Sequence, residues 1–281
     1  MGEITIRPQK IKKDRVKIRL ILFGTLTVLL ILFSLFSEHL TPYDPYLQDL
    51  NLAKQPPSWE HPLGTDRFGR DMLSRVMVGS RTSIFSTLLL VGIITAVGTA
   101  VGVVCGWRGK GLDTVLMRIS DMFLAFPGLV LALAVAGVLG GGLQNAIIAL
   151  AAISWPKYAR LARSQTLAQK ETTWMKAAKL SGSSDLKIIC RHLLPNILGS
   201  ILVTAVLDMG TMMMELAALS FLGLGAKPPI AEWGSMMSDT RSLMSTSPWI
   251  TLSPGIAIFL SVMIFNLLGD TLRDYADPKG R

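Results

Sequence analysis

Two carboxylate side chains interrupt a long apolar run, and their spacing gives the first indication of chemistry. Asp208 and Glu215 are the only charged residues in segment 196–222. Seven residues make almost two turns of α-helix, so both carboxylates lie on one helical face. Ionisable groups at membrane depth are costly and usually face a cavity or a partner. With Met212 they are candidate pore-lining residues; alternatively they hydrogen-bond neighbouring helices, or Glu215 lies at the membrane interface.

The residue types that bind metal ions do not form a ligand set. The histidines are far apart in the sequence: His39, His61 and His192. Four methionines lie beside the two acids: Met209, Met212, Met213 and Met214. Thioether sulfur binds soft metals, but methionine in an apolar span more often fills gaps in the packing. We therefore predict packing methionines and no metal site.

The sequence also lacks the patterns of an active or nucleotide-binding site. The phosphate-binding pattern GxxxxGK[ST] is absent, and in its nearest relative, GWRGKGLD, Gly111 follows Lys110 where Ser or Thr would hold magnesium. No serine lies in a GxSxG context. We predict that the chain is not an enzyme and binds no cofactor. Cys105 and Cys190 fall near the predicted cytoplasmic face, where free thiols are expected.

Long uncharged runs indicate the elements that position these residues. Half of the residues are hydrophobic, 17% are charged and the mean hydropathy is +0.47. Segment 122–156 is about 52 Å long as a helix, too long for one span of a ~30 Å hydrocarbon core, and Gly140–Gly142 divides it in two. The chain is predicted to be an all-α polytopic membrane protein with six transmembrane helices. The predicted spans lie in 20–37, 82–107, both halves of 122–156, 196–222 and 249–269.

The distribution of basic residues predicts the orientation. With the N-terminus in the cytoplasm, 21 of the 28 Lys and Arg residues fall on the cytoplasmic side. The net charge of +9 is therefore mainly topological. The basic tail suits lipid headgroups of the bilayer, and no soluble basic module for nucleic acid is present.

These runs divide the chain into regions. The predicted regions are a cytoplasmic tail 1–19, a first transmembrane helix 20–37, an extracytoplasmic segment 38–81, a five-helix core 82–270 and a cytoplasmic tail 271–281. The first span has no cleavage site after it and is interpreted as an uncleaved anchor. A short amphipathic helix is predicted at 66–81; it either lies in the membrane interface, which is favoured, or contacts another protein.

A patterned basic segment between two spans, 174–196, is the strongest candidate for a docking element. A helix is predicted over 165–181 and ends at Gly182. Ser184 and its neighbours are predicted to cap a second helix, 185–193, which Pro195 then stops. Such a pair suits a groove on a soluble partner, although a plain connecting loop is the alternative.

Glycines spaced four residues apart indicate a close helix crossing in the second span. Gly98, Gly102 and Gly106 form a small-xxx-small ladder. The crossing lies either within the chain or against a partner.

Segment 174–196 resembles the cytoplasmic coupling loop of binding-protein-dependent ABC importer permeases, which reads EAA, three residues, Gly, nine residues, Ile, one residue, Leu-Pro. The matching residues are Ala177, Ala178, Gly182, Leu194 and Pro195. Lys176 and His192 stand where the pattern has Glu and Ile. The ending HLLPN is similar to the dipeptide, oligopeptide and nickel branch. The strings LGTDRFGRDMLSRVMVGSR, DMFLAFP, LSFLGLG and FNLLGDTLRDYADPKG resemble the second, C-type permease of that branch.

This resemblance implies a type I ABC importer permease fold in a bacterial inner (plasma) membrane, with both termini cytoplasmic. It implies a pore formed with a homologous second permease, two ATP-binding subunits that use ATP and magnesium, and an extracytoplasmic solute-binding protein. The ATPase-coupling residues would be Ala177, Ala178, Gly182, Asp185, His192, Leu194 and Pro195. The alternative is a secondary transporter driven by an ion gradient. The cargo, a dipeptide, an oligopeptide or a nickel or other metal chelate, stays open.

Overall fold

The protein is a bundle of long helices in a computed structural model that describes residues 9–276, with side chains from residue 15. Within these residues there is no β-strand, and one isolated bridge joins Thr65 and Asp71. The all-α prediction is confirmed. The helices are α1 Gln9–Leu40, α2 Met72–Arg108, α3 Lys110–Leu124, α4 Gly128–Val138, α5 Leu143–Lys170, α6 Thr173–Leu180, α7 Asp185–Ile188, α8 Leu194–Leu219, α9 Trp233–Thr240 and α10 Pro248–Ala276.

Helix length and composition support four or five of the six predicted spans. Among residues 9–276, four helical stretches are long and apolar enough to cross a membrane: Arg15–Leu40, Met72–Arg108, Asp185–Leu224 and Pro248–Ala276. Helices α3 and α4 would add a fifth if the pair, bent by 93°, is one span. The predicted fourth span corresponds to α5. This helix has the length of a span, but its second half is rich in Lys and Arg, so composition does not identify it as one.

The predicted tails are partly helical. Helix α1 begins at Gln9, inside the predicted tail 1–19, and runs without a break into the first apolar run. Helix α10 continues to Ala276, inside the predicted tail 271–281. Residues 1–8 and 277–281 of these tails lie outside the described residues.

The glycine ladder of α2 packs against α5. A Cβ atom built on Gly98 would lie 2.5 Å from the Cβ of Tyr158, and one on Gly106 would lie 2.7 Å from the Cβ of Thr166. Gly102 is equally close to the backbone of Ala159. The predicted close crossing is confirmed and lies within the chain. It fixes α5 against the longest helix of the bundle.

Glycine and proline break the long run 122–156 where helix geometry fails. Gly140, Gly141 and Gly142 all have positive φ angles, of 84°, 66° and 96°, which only glycine adopts readily. Pro127 precedes the first residue of α4. The division at Gly140–Gly142 is therefore confirmed, while the 11-residue α4 is shorter than a straight span needs.

The segment between α1 and α2, residues 41–71, corrects the prediction of a helix at 66–81. Residues 65–71 form a loop, and α2 begins at Met72 because the Asp71 carboxylate accepts a hydrogen bond from the Ser74 backbone at 2.7 Å. Asp66, Arg70 and Asp71 are buried. The charges that suggested an amphipathic surface thus form an internal network, and residues 72–81 are the first turns of α2.

Helix α9 is held against the side of the bundle by a buried carboxylate. Glu232 accepts hydrogen bonds from the backbone of Gly234 at 2.9 Å and of Ser235 at 2.8 Å. The Ser83 hydroxyl of α2 donates to the same carboxylate at 3.3 Å. These contacts connect α9, which precedes the last span, to α2.

Candidate functional site

The segment between α5 and α8, residues 171–193, contains two short helices and is called the coupling segment below. Helix α5 extends to Lys170, a bend follows at Glu171, and α6 covers Thr173–Leu180. The predicted helix 165–181 is therefore two helices. Ala177 and Ala178 lie in α6, so they belong to the segment and not to the end of the span.

Gly182 makes the turn between α6 and α7, as predicted. Its φ angle is +77°, and its backbone N–H donates to the carbonyl of Lys179 at 3.1 Å. Ser181 donates to the carbonyl of Ala177 at 3.0 Å, so two terminal carbonyls of α6 are satisfied. No atom lies within 4 Å of a Cβ built on Gly182. Glycine is needed here for its backbone conformation, since space is not limiting.

The second half of the segment corrects two predictions. Helix α7 covers only Asp185–Ile188, a π-helical turn follows at Ile189–Leu193, and α8 continues directly from Leu194. Pro195 does not stop the helix, because it lies in the first turn of α8 after the wider π-turn, where its missing N–H is tolerated. Ser184 occupies the N-cap position of α7, but its side chain makes no capping bond.

Apolar side chains anchor the inner face of the coupling segment. Met175, Ile188 and Leu193 are buried in the same core cluster as the span helices. Ala178 and Leu194 are partly buried against that cluster. The segment is therefore seated on the bundle and does not hang free as a flexible loop.

The outer face of the coupling segment exposes large apolar side chains. Leu180 is 89% exposed, Leu186 is 72% exposed and Trp174 is also exposed. Ala177 and Asp185 are also exposed. Apolar residues next to charged ones at a helix turn form the kind of surface that a protein partner covers.

Two departures from the family pattern have local partners. Lys176 forms an ion pair with Glu171 at 3.0 Å, and this ammonium holds the pKa of the exposed Glu171 carboxyl below its usual range. His192 packs edge-on against Trp174, with 6.2 Å between ring centroids. The lysine thus joins α6 to the end of α5, and the histidine joins the π-turn to α6.

Of the three candidate pore-lining residues of α8, Asp208 and Met212 are buried within this chain, and Glu215 is partly exposed. Asp208 is only 4% exposed and accepts hydrogen bonds from Lys157 Nζ at 2.5 Å and Tyr158 Oη at 2.9 Å. Met212 is buried in the core cluster. Asp208 thus bonds to the neighbouring α5, as in the alternative given for the acids, and Met212 packs in the core, as expected for the methionines. Glu215 is half-buried, and no hydrogen bond or ion pair reaches it from the described residues.

Lys157 is the functional candidate that sequence reasoning missed. It was counted among the basic residues of the cytoplasmic side, but it lies at the middle of α5, and its side chain is 56% exposed. The available signal was a single lysine directly after a long uncharged run, matched by a single aspartate in the middle of another span.

The described residues contain no group of three or more His, Cys, Asp or Glu that could hold a metal ion. Cys105 is buried and Cys190 is exposed, and both are free thiols.

Comparison with known proteins identifies the family. Residues 98–281 match the family of binding-protein-dependent transport system inner membrane components. The glutathione transport system permease protein GsiD of Pectobacterium atrosepticum is 41% identical over 258 residues, 91% of this chain and 85% of that protein. The dipeptide transport system permease protein DppC of Alkalihalophilus pseudofirmus is 43% identical over 249 residues, 89% of this chain and 82% of that protein.

A solved structure shares the fold. The chain is similar to one from the MetNI methionine ABC transporter in inward-facing conformations, with a TM-score of 0.59 and 19% sequence identity. The match covers 73% of this chain and 98% of that chain. The chain therefore belongs to the family of binding-protein-dependent transport system inner membrane components, and it is the permease of an ABC importer and not a secondary transporter driven by an ion gradient.

Proposed function

We propose that this permease forms half of a peptide-conducting pore whose opening is driven by ATPase subunits docked on the coupling segment. The observation that carries the proposal is the two-sided construction of residues 171–193. Apolar anchors on the inner face seat the segment on the span helices, while Leu180 and Leu186 remain exposed on the outer face. A force applied to the outer face would therefore reach the spans without being absorbed by a loose loop.

The connection to α8 supports direct transmission. Residues 185–219 are helical throughout, because the π-turn joins α7 to α8 without a break. Movement of α7 would thus move α8, the helix that carries Asp208 and Glu215. Ala177, Ala178, Gly182, Asp185, His192, Leu194 and Pro195 are proposed to form or position the docking surface.

The proposed orientation puts the coupling segment in the cytoplasm. The excess of Lys and Arg on that side supports this orientation, with both termini cytoplasmic. The chain itself would bind no ATP; the partner subunits would use ATP and magnesium. A homologous second permease would complete the pore, and a solute-binding protein would deliver cargo to the opposite face.

The named relatives support a peptide as the cargo. The GsiD and DppC proteins are named for glutathione and dipeptide transport. Both are short peptides with charged ends. A nickel chelate, which the sequence motifs left open, has no comparable support among these relatives.

Reconstitution of the whole importer tests the proposal. Proteoliposomes would contain this permease, its partner permease and the ATPases, with the cognate binding protein added outside. We expect uptake of a radiolabelled dipeptide or glutathione that requires both ATP and the binding protein. Stimulated ATP hydrolysis without uptake of either peptide, together with uptake of a nickel chelate, would reject the peptide assignment. Omission of the ATPases is the control and should abolish uptake.

A further inference from the structure

We infer that Lys157 and Glu215 form a pair of opposite charges in the translocation path that receives the two charged ends of a short peptide. Lys157 would bind the peptide carboxylate, and Glu215 the peptide ammonium group. This inference rests on the proposed peptide-conducting pore. It replaces Asp208 and Met212, which are buried, with the exposed Lys157 and the partly exposed Glu215.

The position of Lys157 places its charge at membrane depth. Lys157 lies 14 residues from the start of α5 and 13 from its end, about 20 Å from either end at 1.5 Å per residue. Its partner Asp208 lies 14 residues, about 21 Å, from the start of α8. The end of α5 and the start of α8 flank the same coupling segment. Asp208 also lies near the middle of the apolar run 196–222, so the ion pair lies at membrane depth.

The Lys157 ammonium is held in place, but only part of its hydrogen-bonding capacity is used. Asp208 is fixed by Tyr158 Oη at 2.9 Å, and Tyr158 is fully buried against α2. A lysine ammonium has three donors, and within the described residues one of them is occupied, by Asp208 at 2.5 Å. Asp208 is thus a positioning residue. It orients the Lys157 ammonium and leaves two of its three N–H donors free.

The exposed side of Lys157 cannot face lipid. A charged group in contact with hydrocarbon at this depth is energetically costly. The 56% exposed side chain must therefore face a water-filled space or a polar partner. In a pore formed by two permeases, the translocation path is such a water-filled space.

Glu215 supplies the second charge at a suitable distance. It lies on the same face of α8 as Asp208, about 10 Å along the helix axis from it at 1.5 Å per residue. An extended peptide of two or three residues spans about 7–11 Å. The separation of the two charges therefore matches the ends of a dipeptide or tripeptide, and the unpaired carboxylate provides the acceptor that its ammonium needs.

Cysteine labelling in the reconstituted importer tests whether these positions line the path. Lys157→Cys and Glu215→Cys would be prepared in a Cys190→Ser background, since Cys105 is buried and Cys190 is exposed. Leu202→Cys, an exposed apolar position on the same helix, is the lipid-facing control. We expect a charged methanethiosulfonate reagent to label positions 157 and 215 at least tenfold faster than 202. Saturating dipeptide with loaded binding protein should slow both at least threefold.

Charge removal supplies the second measurement. Lys157→Met and Glu215→Gln should each lower dipeptide uptake at least fivefold while stimulated ATP hydrolysis stays within twofold. Lys17→Met and Glu60→Gln, at exposed positions, should change neither. If the unaltered complex imports dipeptide but positions 157 and 215 resist labelling or are not protected, this inference is wrong and the proposed function stands. If the unaltered complex imports no peptide, the proposed function fails first.

Discussion

The two polar segments that border the span helices differ in the side chains that they bury. At the end of segment 41–71 a charged cluster lies inside: Asp66 binds Arg70 at 2.6 Å, and both side chains are buried together with Arg75 of α2. In the coupling segment three apolar side chains are buried in the core, while the charges and two leucines, Leu180 and Leu186, face outward.

This difference fits a structural role for segment 41–71 and the proposed docking role for the coupling segment. Segment 41–71 uses its hydrogen bonds internally, including Lys54 N–H to the Asp66 carbonyl at 2.9 Å and Thr65 N–H to the Gln55 carbonyl at 3.1 Å. A segment satisfied in this way has little to offer a partner through its backbone. The coupling segment keeps its exposed outer face available, and a single glycine turn sets the angle between its helices.

Substitution of Gly182 should have the largest effect on transport. Gly182→Pro should abolish peptide uptake and the stimulation of ATP hydrolysis, because proline fixes φ near −65° and removes the N–H that bonds Lys179. Gly182→Ala should be milder, since the left-handed conformation costs alanine about 1–2 kcal/mol. Gly111→Ala, at an equally open site without positive φ, is the control. Uptake at the wild-type rate in Gly182→Pro would exclude this segment as the coupling element.

Removal of Asp66 should give the largest loss of stability. Asp66→Ala leaves Arg70 and Arg75 buried without their counterion, which costs about 3–5 kcal/mol. Thermal unfolding of the purified complex in detergent should show a lower midpoint for this variant. Asp44→Ala, an exposed aspartate that caps one turn, should leave the midpoint unchanged. Equal midpoints for Asp66→Ala and wild type would show that the buried network does not stabilise segment 41–71.

Two leucines of equal exposure provide a matched test of docking. Leu186 in the coupling segment and Leu50 in segment 41–71 are both 72% exposed. Leu186→Asp should weaken binding of the ATPase subunits about tenfold, because it places a charge in an apolar contact. Leu50→Asp, on the other polar segment, should not change ATPase binding. The thermal midpoint of the permease should be unaffected in both. Equal ATPase affinities would contradict the proposed docking face.

Removal of the ion pair between Glu171 and Lys176 should have the smallest effect on stability. Both side chains are exposed, so solvent screens their attraction. The pKa of Glu171 is lowered by the Lys176 ammonium, so any stabilisation is present at neutral pH and lost as the pH falls through the folded-state pKa, in acid. Glu171→Gln should therefore match wild type in thermal midpoint at pH 7. A large difference at pH 7 would mean that this pair helps to fix the coupling segment.

Several local features could be predicted because each depends on residues close together in sequence. The helix end at Gly182, the break at Gly140–Gly142 and the glycine ladder of α2 all follow from backbone freedom or from a four-residue period. The prediction of a helix at 66–81 was wrong because it relied on local pattern alone. Charged and apolar residues alternate there as on a surface helix, but this pattern does not reveal that Asp66 and Arg70 pair inside the protein.

The sequence by itself determined that this is an all-helical membrane protein of the ABC permease family. Hydropathy and the order of motifs depend only on the linear sequence and need no knowledge of the packing. Tertiary structure decided which charges are accessible. Lys157 and Asp208 are 51 residues apart, and only the packing of α5 against α2 and α8 brings them together. That packing buries the aspartate and exposes the lysine. Burial depends on what surrounds a side chain in three dimensions, and no spacing along one helix specifies it.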